Sequence, residues 1–162
     1  MKLVLSDMES TRLTVDGEKL IIENNDKIRN CIGCFGCWVK TPGKCVILDG
    51  YEEMGKYLSR CTELIIVSQC VYGSVSPFIK NVMDRAISYM HPNFCKRNGE
   101  MHHKRRYDNR IKVTAYFYGS NITEAEKETS RKLIRANAVN YDGEIGQIVF
   151  LNSKDELEAL KL

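Results

Sequence analysis

The stretch Glu63-Leu64-Ile65-Ile66-Val67-Ser68 is short, continuous and apolar, and it runs on into Val71-Tyr72-Gly73-Ser74-Val75-Ser76-Pro77. An apolar run of that length without polar alternation reads as a strand covered on both faces, the kind that parallel sheets use. Pro77 suits the first turn of a helix, because its missing N–H would have no intrahelical partner there. Phe78, Ile79, Val82, Met83, Ala86 and Ile87 then recur at helical spacing and form one apolar stripe. Strand, turn and amphipathic helix in this order are the first part of a β-α-β unit.

The same alternation extends in both directions. Lys2 to Leu5, Lys19 to Ile22, Ile111 to Tyr118 and Gln147 to Leu151 read as further strands. Tyr51 to Arg60 brings Met54, Tyr57 and Leu58 to one helical face. Thr123 with Glu126 is a capping-box pattern opening a helix towards Ala138, and Ser153 with Glu156 opens the last helix. Buried strands alternating with helices predict an α/β protein built on a doubly wound parallel sheet, with ligands at the carboxyl ends of its strands near the switch point. Two segments read differently. Leu13 to Ile22 carries Asp16-Gly17 between alternating residues, a hairpin signal, and Met90 to Arg110 is polar and reads as a long loop.

At 162 residues one domain, 1–162, is the default, and 43% hydrophobic with 28% charged residues is enough apolar material for a sizeable core. The net charge of +3, from 24 basic and 21 acidic side chains, argues for neither a nucleic-acid nor a membrane partner. The amino terminus turns polar after about five residues, too soon for a signal peptide. No run approaches the roughly 20 apolar residues that cross a bilayer. A cytoplasmic protein with reduced thiols is therefore expected. Seven cysteines, an odd number, suit that setting better than a disulfide framework.

Four of the seven crowd into one segment, Cys31-x2-Cys34-x2-Cys37-x7-Cys45, interleaved with Gly33, Gly36 and Gly43. Thiolates at this spacing in a glycine-rich loop can converge on a small centre, and four is the count that an iron-sulfur cluster requires. Zinc on four thiolates competes for the same ligands, but structural zinc sites more often pair two distant CxxC units, which ranks the cluster above zinc. Free thiols packing as small hydrophobes are the third reading.

The block Cys31-Ile-Gly-Cys-Phe-Gly-Cys-Trp38, followed by Gly43-Lys-Cys45 and Asp49, resembles the signature of the NAD(P)H-dependent FMN reductase family and its iron-sulfur flavoprotein branch. Val71 to Pro77, with Lys80 and Asp84-Arg85, is similar to the strand-end loop and helix of that family. The resemblance covers roughly Ile28 to Tyr89. It implies a flavodoxin-like fold in three α/β/α layers, bound FMN, and electron transfer from a reduced nicotinamide or a protein donor. It further implies a four-iron cluster on Cys31, Cys34, Cys37 and Cys45, and a homodimer. Gln69, Tyr72, Gly73 and Ser74 would contact the isoalloxazine, with Gly119 and Ser120 flanking it.

Within that resemblance the amino-terminal region departs from the family. Where a Ser/Thr/Gly-rich loop and a helix N-terminus would hold the FMN phosphate, this chain has Asp7-Met-Glu-Ser-Thr-Arg12, which brings two carboxylates to a dianion site. About a dozen residues separate the first two strands, barely enough for a crossover helix. The phosphate site thus reads as shortened or lost. Ser10, Thr11 and Arg12 are the residues left to grip a phosphate, or the basic segment from Lys96 to Arg106 supplies the charge from this subunit or a partner. Cys70 stands where the family commonly has proline.

Other chemistries find little support. The basic segment with His91, His102 and His103 lacks a base-stacking pattern, and adjacent histidines suit one ion poorly. Asp84-Arg85 reads as a surface or interface ion pair, and Cys61 and Cys70 as core. No catalytic triad, P-loop or carboxylate pair is present, which sets hydrolases and kinases aside. Two functions remain: an FMN-dependent oxidoreductase or electron-transfer flavoprotein, and a flavodoxin-like domain that has lost its flavin and serves as a binding or assembly module. A planar redox molecule would occupy a crevice between the thiol segment and the Tyr72 turn.

Overall fold

The computed structural model describes residues Met1–Leu162. In chain order the strands and helices are β1 (Lys2–Ser6), β2 (Lys19–Glu23), α1 (Gly36–Val39), α2 (Met54–Arg60), β3 (Glu63–Gln69), α3 (Pro77–Arg85), β4 (Met90–Arg97), β5 (Glu100–Arg105), β6 (Lys112–Tyr118), α4 (Glu124–Asn140), β7 (Glu144–Leu151) and α5 (Lys154–Glu158). Single 3-10 turns occupy Ser10–Arg12 and Ala86–Tyr89.

Five strands form one sheet in the order β2-β1-β3-β6-β7, every pair parallel. With the β4-β5 excursion set aside this is the flavodoxin order, and its switch point lies between β1 and β3. Strand periodicity divides the core in two. Leu3, Leu5, Leu64, Ile66, Val113, Ala115 and Phe117 point to a face packed by α2, α3 and α4. Val4, Ile65, Val67, Tyr116 and Tyr118 point to the other, which is closed by Met8, Val15, Leu157 and the carboxyl-terminal Leu162. This second layer is thin, because the β1 to β2 connection holds only the Ser10–Arg12 turn and no crossover α-helix.

The helix starts follow their sequence signals. Ser76 accepts a hydrogen bond from the Ile79 amide with Pro77 just inside α3, and Thr123 with Glu126 forms the full capping box of α4. Ser153 caps α5 through the Glu156 amide. No helix is long and apolar enough to cross a membrane.

Two expectations are corrected. Asp16-Gly17 closes no hairpin: Lys19–Glu23 pairs parallel with β1, and Thr14 bridges Lys161 in parallel. The segment Met90 to Arg110 is largely an antiparallel hairpin, β4 with β5, and not a loop. Its turn is Asn98-Gly99 with φ of 49° and 90°. Positive φ at both central residues is what a tight two-residue hairpin turn needs, and Asn-Gly provides it at little steric cost.

Candidate functional site

The cysteine segment is not part of the sheet, so side-chain contacts hold it. Arg85, at the last turn of α3, is fully buried and uses its whole guanidinium on this segment. Its Nη1 and Nη2 donate to the two Asp49 carboxylate oxygens at 2.8 and 3.0 Å, and also to the Arg29 and Ile47 carbonyls at 2.9 Å. Nε donates to Cys45 Sγ at 3.1 Å. Burial alone would raise the Asp49 pKa, but hydrogen bonds from Arg85 and from the Arg29 and Tyr51 amides outweigh it and hold the carboxyl below its ordinary range. Of the Asp84-Arg85 pair only Asp84 is a surface ion-pair residue, bonded to Lys80. Arg85 follows the apolar stripe of α3 closely enough that its burial could have been read from the pattern.

Cys31, Cys34, Cys37 and Cys45 all line one cavity of about 470 Å³, together with Phe35, Trp38, Arg85 and the last turn of α4. Cys31 and Cys34 are exposed, Cys37 is half-buried and Cys45 is buried. Burial, followed by the neighbouring thiols Cys45, Cys31 and Cys34, pushes the Cys37 thiol up. No three His, Cys, Asp or Glu side chains stand close enough to hold a metal ion, so neither zinc nor the expected four-iron cluster on Cys31, Cys34, Cys37 and Cys45 has a gathered ligand set here. Trp38 is tied to the hairpin: its indole donates to the Met90 carbonyl at 3.0 Å and its ring lies 4.9 Å from that of His103. Cys61 is fully buried and its thiol is pushed up to about 12 by desolvation. Cys70 is half-buried, with Sγ 3.7 Å from Ser130 Oγ.

The expected crevice shared by the thiol segment and the Tyr72 turn is not what the fold builds. The Tyr72 turn precedes the N-cap of α3, whereas the cysteine cavity is lined by Met83 to Ile87 and by Asn137 to Tyr141, at the C-terminal ends of α3 and α4. Helices that follow strands of a parallel sheet run back along it, so the two places lie at opposite rims, roughly 13 Å apart along α3 alone.

At the carboxyl rim, Tyr72 is 90% exposed with a φ of 50°, and Gly73 and Ser74 complete a tight turn closed by Val71. Gly73 abuts α4, where its carbonyl accepts from Ser130 Oγ at 3.1 Å. Gln69 ends β3, and Gly119, whose amide donates to the Leu151 carbonyl, and Ser120 follow β6. These residues share one rim but line neither of the two principal cavities.

The residues offered for a phosphate are split. Ser10 and Thr11 line a cavity of about 330 Å³ together with Asp7, Glu9 and Glu23. The Ser10 amide already donates to Glu23 Oε2 at 2.6 Å. Arg12 turns away to Asp155 and Glu158 at α5. Asp7 bridges the ends of three strands, accepting from the Gln69 amide at 2.8 Å and from the Tyr118 hydroxyl at 2.7 Å. No residue of the basic hairpin lines this cavity, and its Arg97 and Arg105 join Arg110 around Asp142, at the amino end of β7. The phosphate of FMN is therefore unmatched by the residues of this loop.

Strand order and layer arrangement define a flavodoxin-like α/β protein. No protein-family model matches the chain. In sequence it is similar to an iron-sulfur flavoprotein of Methanocaldococcus jannaschii, 37% identical over 60 residues that make up 37% of this chain and 30% of the relative. It is also similar to an iron-sulfur flavoprotein of Archaeoglobus fulgidus, 31% identical over 87 residues, 54% of this chain and 37% of that protein. The matches thus span about a third of each relative. Among solved structures it resembles the Trp repressor binding protein from Bacillus subtilis, with a TM-score of 0.55, 11% identity and coverage of 93% and 85% of the two chains. An azoreductase gives a TM-score of 0.57 at 7% identity, over 96% and 88%.

Proposed function

We propose that this chain is a flavin-dependent oxidoreductase or electron-transfer protein of the iron-sulfur flavoprotein type. The observation that carries this reading is that Cys31, Cys34, Cys37 and Cys45 line one cavity, in a chain similar to proteins named for both an iron-sulfur centre and a flavin. A cluster takes each thiolate on a different iron atom and so needs its ligands spread around it. Four thiols facing one cavity match the ligand count of such a cluster, whose binding would draw them together. Arg85 would orient Cys45 within the set.

A flavin ring would lie on the opposite rim, against Gln69, Tyr72, Gly73 and Ser74, with Gly119 and Ser120 at its far side. When bound, the flavin supplies the electron chemistry, while these residues orient it and shield one face from water. FMN is the flavin that the family resemblance implies, but the acidic amino-terminal loop supplies no cradle for its phosphate. A reduced nicotinamide or a protein would donate electrons, and paired subunits in the cytoplasm would form the working unit.

The second reading, a flavodoxin-like domain that has lost its flavin and acts as a binding module, is favoured by the Glu23 contact on the Ser10 amide. Anaerobic purification decides between them. Iron and sulfide in equal amounts with flavin uptake would support the first reading. Protein without iron that takes up no flavin of any kind would leave the second.

A further inference from the structure

The loop after β1 is where this fold places an anion, because strand ends and a following helix N-terminus normally gather free amides at the switch point. In this chain each element of that arrangement is replaced. No α-helix follows β1. The Ser10 amide is taken by Glu23 Oε2 at 2.6 Å. The Gln69 amide at the end of β3 is taken by Asp7 Oδ2 at 2.8 Å. Glu9 adds a third carboxylate to the same cavity, and the one nearby cation, Arg12, is held on α5. Two amides at this switch point, those of Ser10 and Gln69, therefore already carry the chain's own anions.

We infer that this loop excludes phosphate, and that the flavin pocket takes a flavin without a 5′-phosphate, of the riboflavin class, in preference to FMN. The inference rests on the flavin reading and deepens it. Tyr72, Gly73 and Ser74 lie outside the acidic cavity but at the same carboxyl rim, so the ribityl chain of a ring placed against them would run towards the carboxylates and end there as an uncharged hydrogen-bond donor. Its hydroxyls satisfy carboxylate oxygens, whereas a phosphate dianion meets only like charge. A dianion ~6 Å from a single carboxylate in a water-like dielectric already loses about tenfold in affinity.

The test is titration of the chain with riboflavin and with FMN in parallel, followed by quenching of flavin fluorescence at two salt concentrations. Riboflavin is expected to bind at least about tenfold more tightly. Added salt should narrow the gap, because it screens the repulsion. Glu23→Gln, and independently Glu9→Gln on an exposed side chain, should raise FMN affinity several-fold and change riboflavin affinity less, so that the gap between the two flavins narrows. FMN binding as tightly as riboflavin, or FMN affinity indifferent to both substitutions, overturns the inference and leaves the flavin reading standing. Failure of both flavins to bind overturns the flavin reading itself and the inference with it.

Discussion

The guanidinium of Arg85 meets the carboxylate of Asp49 through two parallel hydrogen bonds of 2.8 and 3.0 Å, with both side chains shut away from solvent. The pair joins the last turn of α3 to a segment that has no sheet partner, and it is the anchor on which the cysteine cavity is built. Replacing Arg85 with Leu leaves a buried carboxylate without its counter-ion. A stability loss of about 3–5 kcal/mol is expected, read from urea denaturation midpoints. A loss below about 1 kcal/mol, the worth of a surface pair, would show that the segment is anchored elsewhere.

Acid should release the same anchor. The folded pKa of Asp49 lies below the ordinary aspartate value, so its contribution is complete above the unfolded pKa of about 3.9 and declines as pH falls from there through the folded value. Thermal midpoints measured from pH 6 down to pH 3 should fall more steeply for the parent chain than for Asp49→Asn. Parallel curves would contradict a depressed Asp49.

In reduced, metal-free protein the thiols should alkylate in a fixed order. Cys31 and Cys34 are exposed and react first. Cys37 follows more slowly, because burial and the neighbouring thiols keep its proton on at neutral pH. Cys61, with its thiol at about 12 and no exposure, stays unmodified until the chain unfolds. Mass spectrometry of peptides from a timed iodoacetamide reaction at pH 8 gives the order directly. Early modification of Cys61 would contradict the packing beneath α2.

Gly73 cannot carry a side chain without displacing α4. A Cβ there would stand 2.8 Å from Thr129 Cβ and 3.0 Å from the Glu126 carbonyl, at a φ of +76°. Gly73→Ala should cost about 1–3 kcal/mol and loosen the turn that presents Tyr72. Tyr72→Ala removes only an exposed ring and should leave the stability within about 0.5 kcal/mol of the parent, while weakening flavin uptake. Equal midpoints for the two variants would place Gly73 in a more forgiving environment than its neighbours indicate.

Much of the fold was legible because its signals are local. Leu64 to Val67 is an unbroken buried apolar run, Pro77 opens α3, and the Thr123 and Glu126 capping box opens α4, so each element announces itself within a few residues. Asn98-Gly99 is an equally local turn signal, but the many charges from Lys96 to Arg106 read as a solvated loop and mask it. The charges are there because a two-stranded hairpin leaves most of its surface to solvent.

The candidate site divides along the same line. The four cysteines and their spacing, the strand-end turn at Tyr72, and the carboxylates after β1 are properties of the chain alone. Tertiary structure decided that the cysteines sit at one rim and Tyr72 at the other, that Arg85 is a buried anchor, and that Glu23 and Asp7 occupy the amides of Ser10 and Gln69. The reason is physical: backbone propensity acts between near neighbours, whereas the path of an irregular segment is set by which distant groups must be paired once they leave water. Arg85 and Asp49 are 36 residues apart, and only the folded sheet brings them within hydrogen-bonding distance.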